Sequence, residues 1–164
     1  MHTLMRLGRD PRWRAVLAVS PDSDASAPFW PRGIERLPQG SGDLGMKMQR
    51  LFRRLPSGPA IIVGSDIPAI KASDIARAFR LLGNGDAVLG RAPDGGYWLV
   101  GLRRSPRVLA PFANVRWSGP HALADTLRNL QGRRVAFAAT LGDVDTAKDY
   151  RRLRGSWERL IAPC

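Results

Sequence analysis

Apolar residues along the chain gather into short continuous runs, separated by stretches in which they recur every three or four positions. The run within "WRAVLAVSP" (13–21) ends in Ser-Pro-Asp and predicts a buried strand followed by a turn. "PDSDASAPFWPRG" reads as loop from its Pro, Ser and Asp density, and "IERLPQGSGD" as a short strand with a glycine-bearing turn. After Asp43, the apolar residues Leu44, Met48, Leu51, Phe52 and Leu55 follow the i, i+4, i+7, i+8, i+11 pattern of an amphipathic helix, with Asp43 or Ser41 as its cap. "PSGP" stops that helix. "AIIVG" (60–64) is apolar without interruption, as expected of a parallel strand covered on both faces, and is predicted at the centre of the sheet.

Ile75, Phe79 and Leu82 keep helical spacing, and "GNG" at 83–85 ends that helix with residues that tolerate positive φ. "DAVLGRA" and "YWLVGL" predict two strands joined by the turn-forming "PDGG". Ser118 before Pro120 opens a helix through Leu123, Leu127 and Leu130 that Gly132 closes. "RVAFAAT" predicts a last strand, and Thr146 with Asp149 resembles a capping box for a final helix holding Tyr150 and Leu153. Strands alternating with helices predict a three-layer α/β/α sandwich with a mostly parallel mixed sheet. At 164 residues and 44% hydrophobic content, one domain over 1–164 is expected.

Composition changes this picture little. The single cysteine, Cys164, permits no internal disulfide and suits a reducing compartment, so a cytoplasmic location is expected. The opening "MHTLMRLGRDPRWRAVL" is too charged for a signal-peptide core, and no run approaches the roughly 18 apolar residues of a membrane helix, so no membrane partner is expected. The formal net charge of +12 would attract phosphate-bearing partners. Its source is arginine scattered along the whole chain, with only Lys47, Lys71 and Lys148 as lysines and no basic block, which argues against nucleic-acid binding.

In open α/β sheets, ligands sit beyond the carboxyl ends of the strands. Ser65 and Asp66 follow "AIIVG" directly, and Pro68 stiffens the turn after them. A carboxylate so placed either bonds loop amides or holds Mg²⁺, which takes hard oxygen ligands from one or two carboxylates and from substrate phosphates. "LGDVDTAKDY" places Asp143 and Asp145 after the last strand, where Asp145 could reach the same ion. Capping by the Asp-Thr pair does not exclude that role. In "APDGGYWLVG", Gly95 and Gly96 let backbone amides approach a ligand and Asp94 could bind a hydroxyl or amine, with Tyr97 beside them; a plain hairpin turn is the other reading. His2, His121 and Cys164 have no partner pattern that would make a base or a nucleophile of them.

"QGSGDLGMKM", "GSDIPAI", "GRAPDGGYWLVGL", "RWS" and "DVDT" occur in this order, and over roughly residues 10–153 the chain resembles the glycosyltransferase-A-like proteins described as selenodomain-associated transferases. That family is kin to phospholactate guanylyltransferase and molybdenum cofactor guanylyltransferase. The resemblance implies a nucleotide-diphospho-sugar transferase fold with a divalent ion, Mg²⁺ or Mn²⁺, on the carboxylate after the central strand. Asp66 matches the metal aspartate, and Asp145 the aspartate that closes the site in related nucleotidyltransferases. Asp94, Gly95 and Gly96 match the acceptor-side loop, and Gln39, Gly42 and Asp43 the glycine-bearing loop before its helix. Trp117 and Ser118 match a Trp-Ser-Thr signature in which Gly119 replaces the threonine, and Lys71 replaces a helix-capping threonine. Family members open with a strand and a Pro-Gly-x-x-Lys-Thr-Arg-Leu phosphate loop; no such segment occurs in this chain, so an N-terminally shortened domain is expected.

Two functions follow as expectations. One is Mg²⁺-dependent transfer of a nucleotidyl or glycosyl group from a nucleoside triphosphate or nucleotide sugar to a small acceptor, with Asp66 and Asp145 catalytic and Ser65 and Tyr97 joining the substrate-binding loops. Arg91, Arg103 or Arg116 could then supply the missing phosphate-loop charge. The other is a shortened, non-catalytic nucleotide-binding or partner subunit that covers open strand edges by forming a homodimer.

Overall fold

A computed structural model describes residues 7–65 and 67–142. The final helix expected around Tyr150 lies outside the described residues, as do Asp66, Asp143 and Asp145. The elements run β1 (Val16–Val19), a 3₁₀ turn (Asp22–Ser26), β2 (Glu35–Pro38), α1 (Leu44–Arg54), β3 (Ala60–Val63), α2 (Ala72–Asn84), β4 (Ala87–Arg91), β5 (Tyr97–Leu102), α3 (Ala122–Asn129) and β6 (Val135–Ala138). β1 and β2 pair in parallel, Val16 opposite Glu35. The other strands form a sheet of order β3-β5-β4-β6. Its β4–β6 pair is parallel, whereas β5 runs antiparallel to both β3 and β4. Three of these four strands therefore share a direction, and β5 alone opposes them.

β3, expected at the sheet's centre, instead pairs on one side only among the described residues, and its neighbour is the antiparallel β5. Local apolarity reports burial and not which strand pairs with which, and Ile61, Ile62 and Val63 are only half-buried.

Helices cover both faces of the sheet. On one face Ile75, Ala78 and Leu82 of α2 pack with Val88, Trp98 and Leu99, and Trp13 stacks on Phe79 at 6.1 Å. On the other, Met48 and Phe52 of α1 and Leu130 at the end of α3 pack with Ala87, Leu89, Val100 and Leu102. The sheet supplies both cores through a register shift: Gly90 pairs with Leu99 but Arg91 with Tyr97, which makes Trp98 the extra residue of a β-bulge. The bulge turns Trp98 and Leu99 to the α2 face and leaves Tyr97 on the other. Gly90 makes room for this, since a Cβ there would lie 2.5 Å from the Trp98 indole.

Helix ends follow local chemistry. Asp43, as expected, caps α1 by accepting from the Met46 amide at 2.7 Å. The α1 C-terminus is closed by Arg104, 8% exposed, whose guanidinium donates to the carbonyls of Phe52, Leu55, Pro56 and Gly58. At α2, Lys71 cannot accept at the N-cap, and the Asp74 carboxylate instead accepts from the Lys71 amide at 2.9 Å. Gly85, one of the residues that tolerate positive φ, has φ −115°; closeness is what favours glycine there, because a Cβ would lie 3.2 Å from the carbonyls of Arg134 and Leu81. No helix among the described residues is long and apolar enough to cross a membrane.

Candidate functional site

The carboxyl ends of β3, β4 and β6 are tied together through Trp98. The Gly64 amide, just past β3, donates to the Trp98 carbonyl at 3.0 Å. The Trp98 indole Nε1 donates to the Ala139 carbonyl, just past β6, at 2.9 Å. The Leu141 amide then donates to Arg91, the last residue of β4, at 3.1 Å. A Cβ on Gly142, the last described residue, would lie 3.6 Å from Pro93 of the β4–β5 turn. Ser65 is exposed beside these ends. The chain thus brings the segments that precede Asp66 and Asp143 to one end of the sheet. Trp98 read in the sequence only as a strand residue; the neighbouring Gly90 that admits its ring is the signal that could have singled it out.

The turn between β4 and β5 is built by its own side chain. Asp94 Oδ1 accepts from the Gly96 amide at 2.9 Å, and the Ala92 amide donates to the Gly96 carbonyl at 3.1 Å. Asp94 is exposed, and its second oxygen has no hydrogen-bond partner among the described residues, so it can take a hydroxyl or amine. Gly95, at φ +88°, lies against Pro120, where a Cβ would meet the Pro120 carbonyl oxygen at 2.5 Å. Its own carbonyl accepts from the Leu123 amide at 3.1 Å, which fixes the turn to the start of α3.

Tyr97 and Trp117 join this turn to α1. Their rings meet edge to face at 6.4 Å, and Trp117 packs so close to Gly45 that a Cβ there would lie 2.8 Å from the indole. Tyr97 shares a 3.2 Å hydrogen bond with Thr126. Burial pushes its phenol up to about 12, against the opposing pull of that bond, so Tyr97 stays protonated at neutral pH and positions rather than accepts protons. The Trp117 indole N–H is buried with no partner among the described residues. Ser118 follows at φ +60° and is exposed.

The loop after β2 is held from both sides. The Gln39 side-chain amide donates to Ala18 at 3.1 Å, the Gly40 amide donates to Asp22 at 2.9 Å, and Arg50 donates to the carbonyls of Gln39 and Ser41. Gly42 sits at φ +106° over Met46, and Asp43 is engaged as the cap of α1. Gln39 and Asp43 therefore shape this loop, with one Asp43 oxygen given to the helix.

The cations divide between the two ends of the sheet. Arg103 pairs at 2.8 Å with Asp86, which precedes β4 and so lies at the amino end. Arg116 is held in two bonds at 2.9 Å by the buried Asp125, whose carboxyl falls well below its usual range because that guanidinium bonds it. Arg91 remains at the carboxyl end, 4.0 Å over the Phe137 ring. Lys47, in the first turn of α1, reaches Ser20 past β1 at 3.4 Å. It was not among the cations singled out from the sequence, and its place just behind the Asp43 cap is the only local hint. Among the described residues no group of three or more His, Cys, Asp or Glu could hold a metal.

The sequence profile of the family described as "Uncharacterized protein conserved in bacteria (DUF2064)" matches residues 3–119. The chain belongs to this family. Among solved structures, it is similar to a "putative nucleotide-diphospho-sugar transferase" from Desulfovibrio desulfuricans G20, with 25% identity over 92% of this chain and 69% of that one, at a TM-score of 0.78. The fold is that of the nucleotide-diphospho-sugar transferases, as expected from the sequence. The homologue of Mycobacterium tuberculosis rv0371c from Mycobacterium sp. strain JC1 shares the fold, with 19% identity over 96% of this chain and 82% of that one, at a TM-score of 0.63. No curated protein matches the chain.

Proposed function

We propose that the carboxyl-end face binds an activated nucleotide, a nucleoside triphosphate or nucleotide sugar, and transfers its nucleotidyl or glycosyl group to a small acceptor. The observation that carries this reading is the drawing together of the β3, β4 and β6 ends through Trp98, beside a turn with one Asp94 oxygen free among the described residues. The similar structure from Desulfovibrio desulfuricans G20 supports the substrate class. Membership of the selenodomain-associated subgroup and a cytoplasmic location belong to the same proposal.

Asp66 and Asp145 would hold Mg²⁺ or Mn²⁺, and the donors suit the ion, since carboxylates are hard oxygen ligands. Once bound, such an ion neutralises charge that develops on a diphosphate leaving group. The protein's own part is positioning. Lys47 and Arg91 offer positive charge to phosphates, Asp94 holds an acceptor hydroxyl or amine, and Gly95 and Gly96 let that acceptor approach the backbone. Phosphorus NMR on a panel of donors with candidate acceptors tests the reaction. Nucleotidyl transfer releases pyrophosphate from a triphosphate, and glycosyl transfer releases a nucleoside diphosphate from a nucleotide sugar. Release of neither, by a folded chain with Mg²⁺, counts against transfer.

The one-sided pairing of β3 favours a second reading, a nucleotide-binding subunit that self-associates through that edge. Sedimentation equilibrium decides: a strictly monomeric chain that turns over a donor excludes it.

A further inference from the structure

Four arginines from two separate stretches of the sequence meet in space. A cleft of about 710 Å³ opens between the C-terminal half of α2 and the start of β6, lined by Arg77, Arg80, Asn84, Arg133, Arg134 and Ala136 among others, with no carboxylate in its lining. Asp86 lies near, but its oxygens are engaged: one accepts from the Arg103 guanidinium at 2.8 Å, the other from the Arg134 backbone amide at 3.0 Å. That leaves the Arg134 side chain a loose 3.9 Å contact with it. Arg77, Arg80 and Arg133 make no side-chain hydrogen bond or ion pair among the described residues, and all three are exposed. The cleft sits at the amino ends of β4 and β6, whereas the candidate transfer site is at their carboxyl ends.

A bland account is available for part of this. Arg77 and Arg80 are exposed on α2, and charged side chains on the solvent side of a helix are ordinary. That does not explain why a separate segment brings Arg133 and Arg134 to the same cleft. Asp86 attracts Arg133 and Arg134 as well as Arg103, but one carboxylate does not balance them together with Arg77 and Arg80, and guanidinium forks match phosphate oxygens two bonds at a time. The volume lies in the range of small-molecule sites, about 300–1,000 Å³. No aromatic side chain lines the cleft, so it has nothing on which to stack a base. The geometry points to a second site, independent of metal, that takes a small di- or triphosphate by its phosphates alone, whether inorganic or the tail of a nucleotide.

The test is calorimetric titration of sodium tripolyphosphate, ATP and polyuridylate, each in EDTA, into the wild-type chain, the R80Q/R133Q variant and the control R9Q/R32Q. The control removes the same charge from exposed arginines elsewhere. EDTA silences any metal-dependent site, so this outcome is separate from that of the transfer proposal. Wild type and control should bind one tripolyphosphate, ATP should bind with similar affinity, and R80Q/R133Q should bind at least tenfold more weakly with an unchanged urea midpoint. Absence of metal-free binding, equal binding by the two double variants, or binding of polyuridylate alone would each overturn the proposal.

Discussion

Replacing Gly95 by alanine sets the packing of the Asp94 turn against its backbone conformation, and the two can be separated. At φ +88° any side chain is strained, by about 1 kcal/mol. The added Cβ would also lie 2.5 Å from the Pro120 oxygen and 2.6 Å from its Cα, backbone atoms that cannot swing aside as a flexible side chain does. Relief requires the start of α3 to move away and strains the Leu123 amide bond to Gly95, an overpacking cost of about 1–3 kcal/mol. The total is about 2–4 kcal/mol. Gly132 is the control: its φ of +76° is similar, but a Cβ there meets nothing within 4 Å, so Gly132→Ala should cost only about 1 kcal/mol. Urea and thermal unfolding followed by circular dichroism read both, and for a chain of this size the melting points should differ by about 2–4 °C per kcal/mol. Equal losses in the two variants would refute the close seating of the turn on Pro120, and with it the rigidity of the Asp94 turn.

Three further outcomes follow from the described contacts. Asp125 is held ionised by Arg116, so its stabilising contribution is full above the unfolded value of about 3.9 and is lost as pH falls through its lower folded value. The urea midpoints of wild type and Asp125→Asn should therefore converge on acidification below about pH 4; since Arg116 is mostly exposed, salt should narrow the gap as well. Tyr97→Phe should cost about 1 kcal/mol for the lost Thr126 bond, and in ultraviolet titration it should remove the phenol that ionises near 12 in the folded chain. Lys47→Gln should weaken binding of an activated nucleotide severalfold while leaving the unfolding free energy within about 0.5 kcal/mol of wild type, because among the described residues its side chain makes only the 3.4 Å hydrogen bond to Ser20.

Strand and helix positions were legible because each rests on a local signal. The run 60–63 became β3, the spacing from Leu44 to Leu55 became α1, and Asp43 became its cap. Pairing was not legible, since insertion of the antiparallel β5 between β3 and β4 depends on contacts distant in sequence. The bulge at Trp98 likewise needs Gly90 from the neighbouring strand, and Arg104 closes a helix that ended 50 residues earlier at Arg54. For the site, "PDGG" announced the Asp94 turn, but neither its seating on Pro120 nor the bond from Trp98 to Ala139 has a local signature. The meeting of Arg77 and Arg80 with Arg133 and Arg134 was not legible for the same reason, since it depends on α2 and β6 lying side by side.

The most direct test of the transfer reading is calorimetric titration of nucleotide sugars and nucleoside triphosphates, with and without Mg²⁺, into R80Q/R133Q, whose basic cleft is disabled, and into the same chain carrying Asp66→Ala. Mg²⁺-dependent binding of at least one donor that disappears with Asp66→Ala is the predicted result. Unchanged binding by the Asp66→Ala chain, or no Mg²⁺-dependent binding by a folded chain, would contradict it.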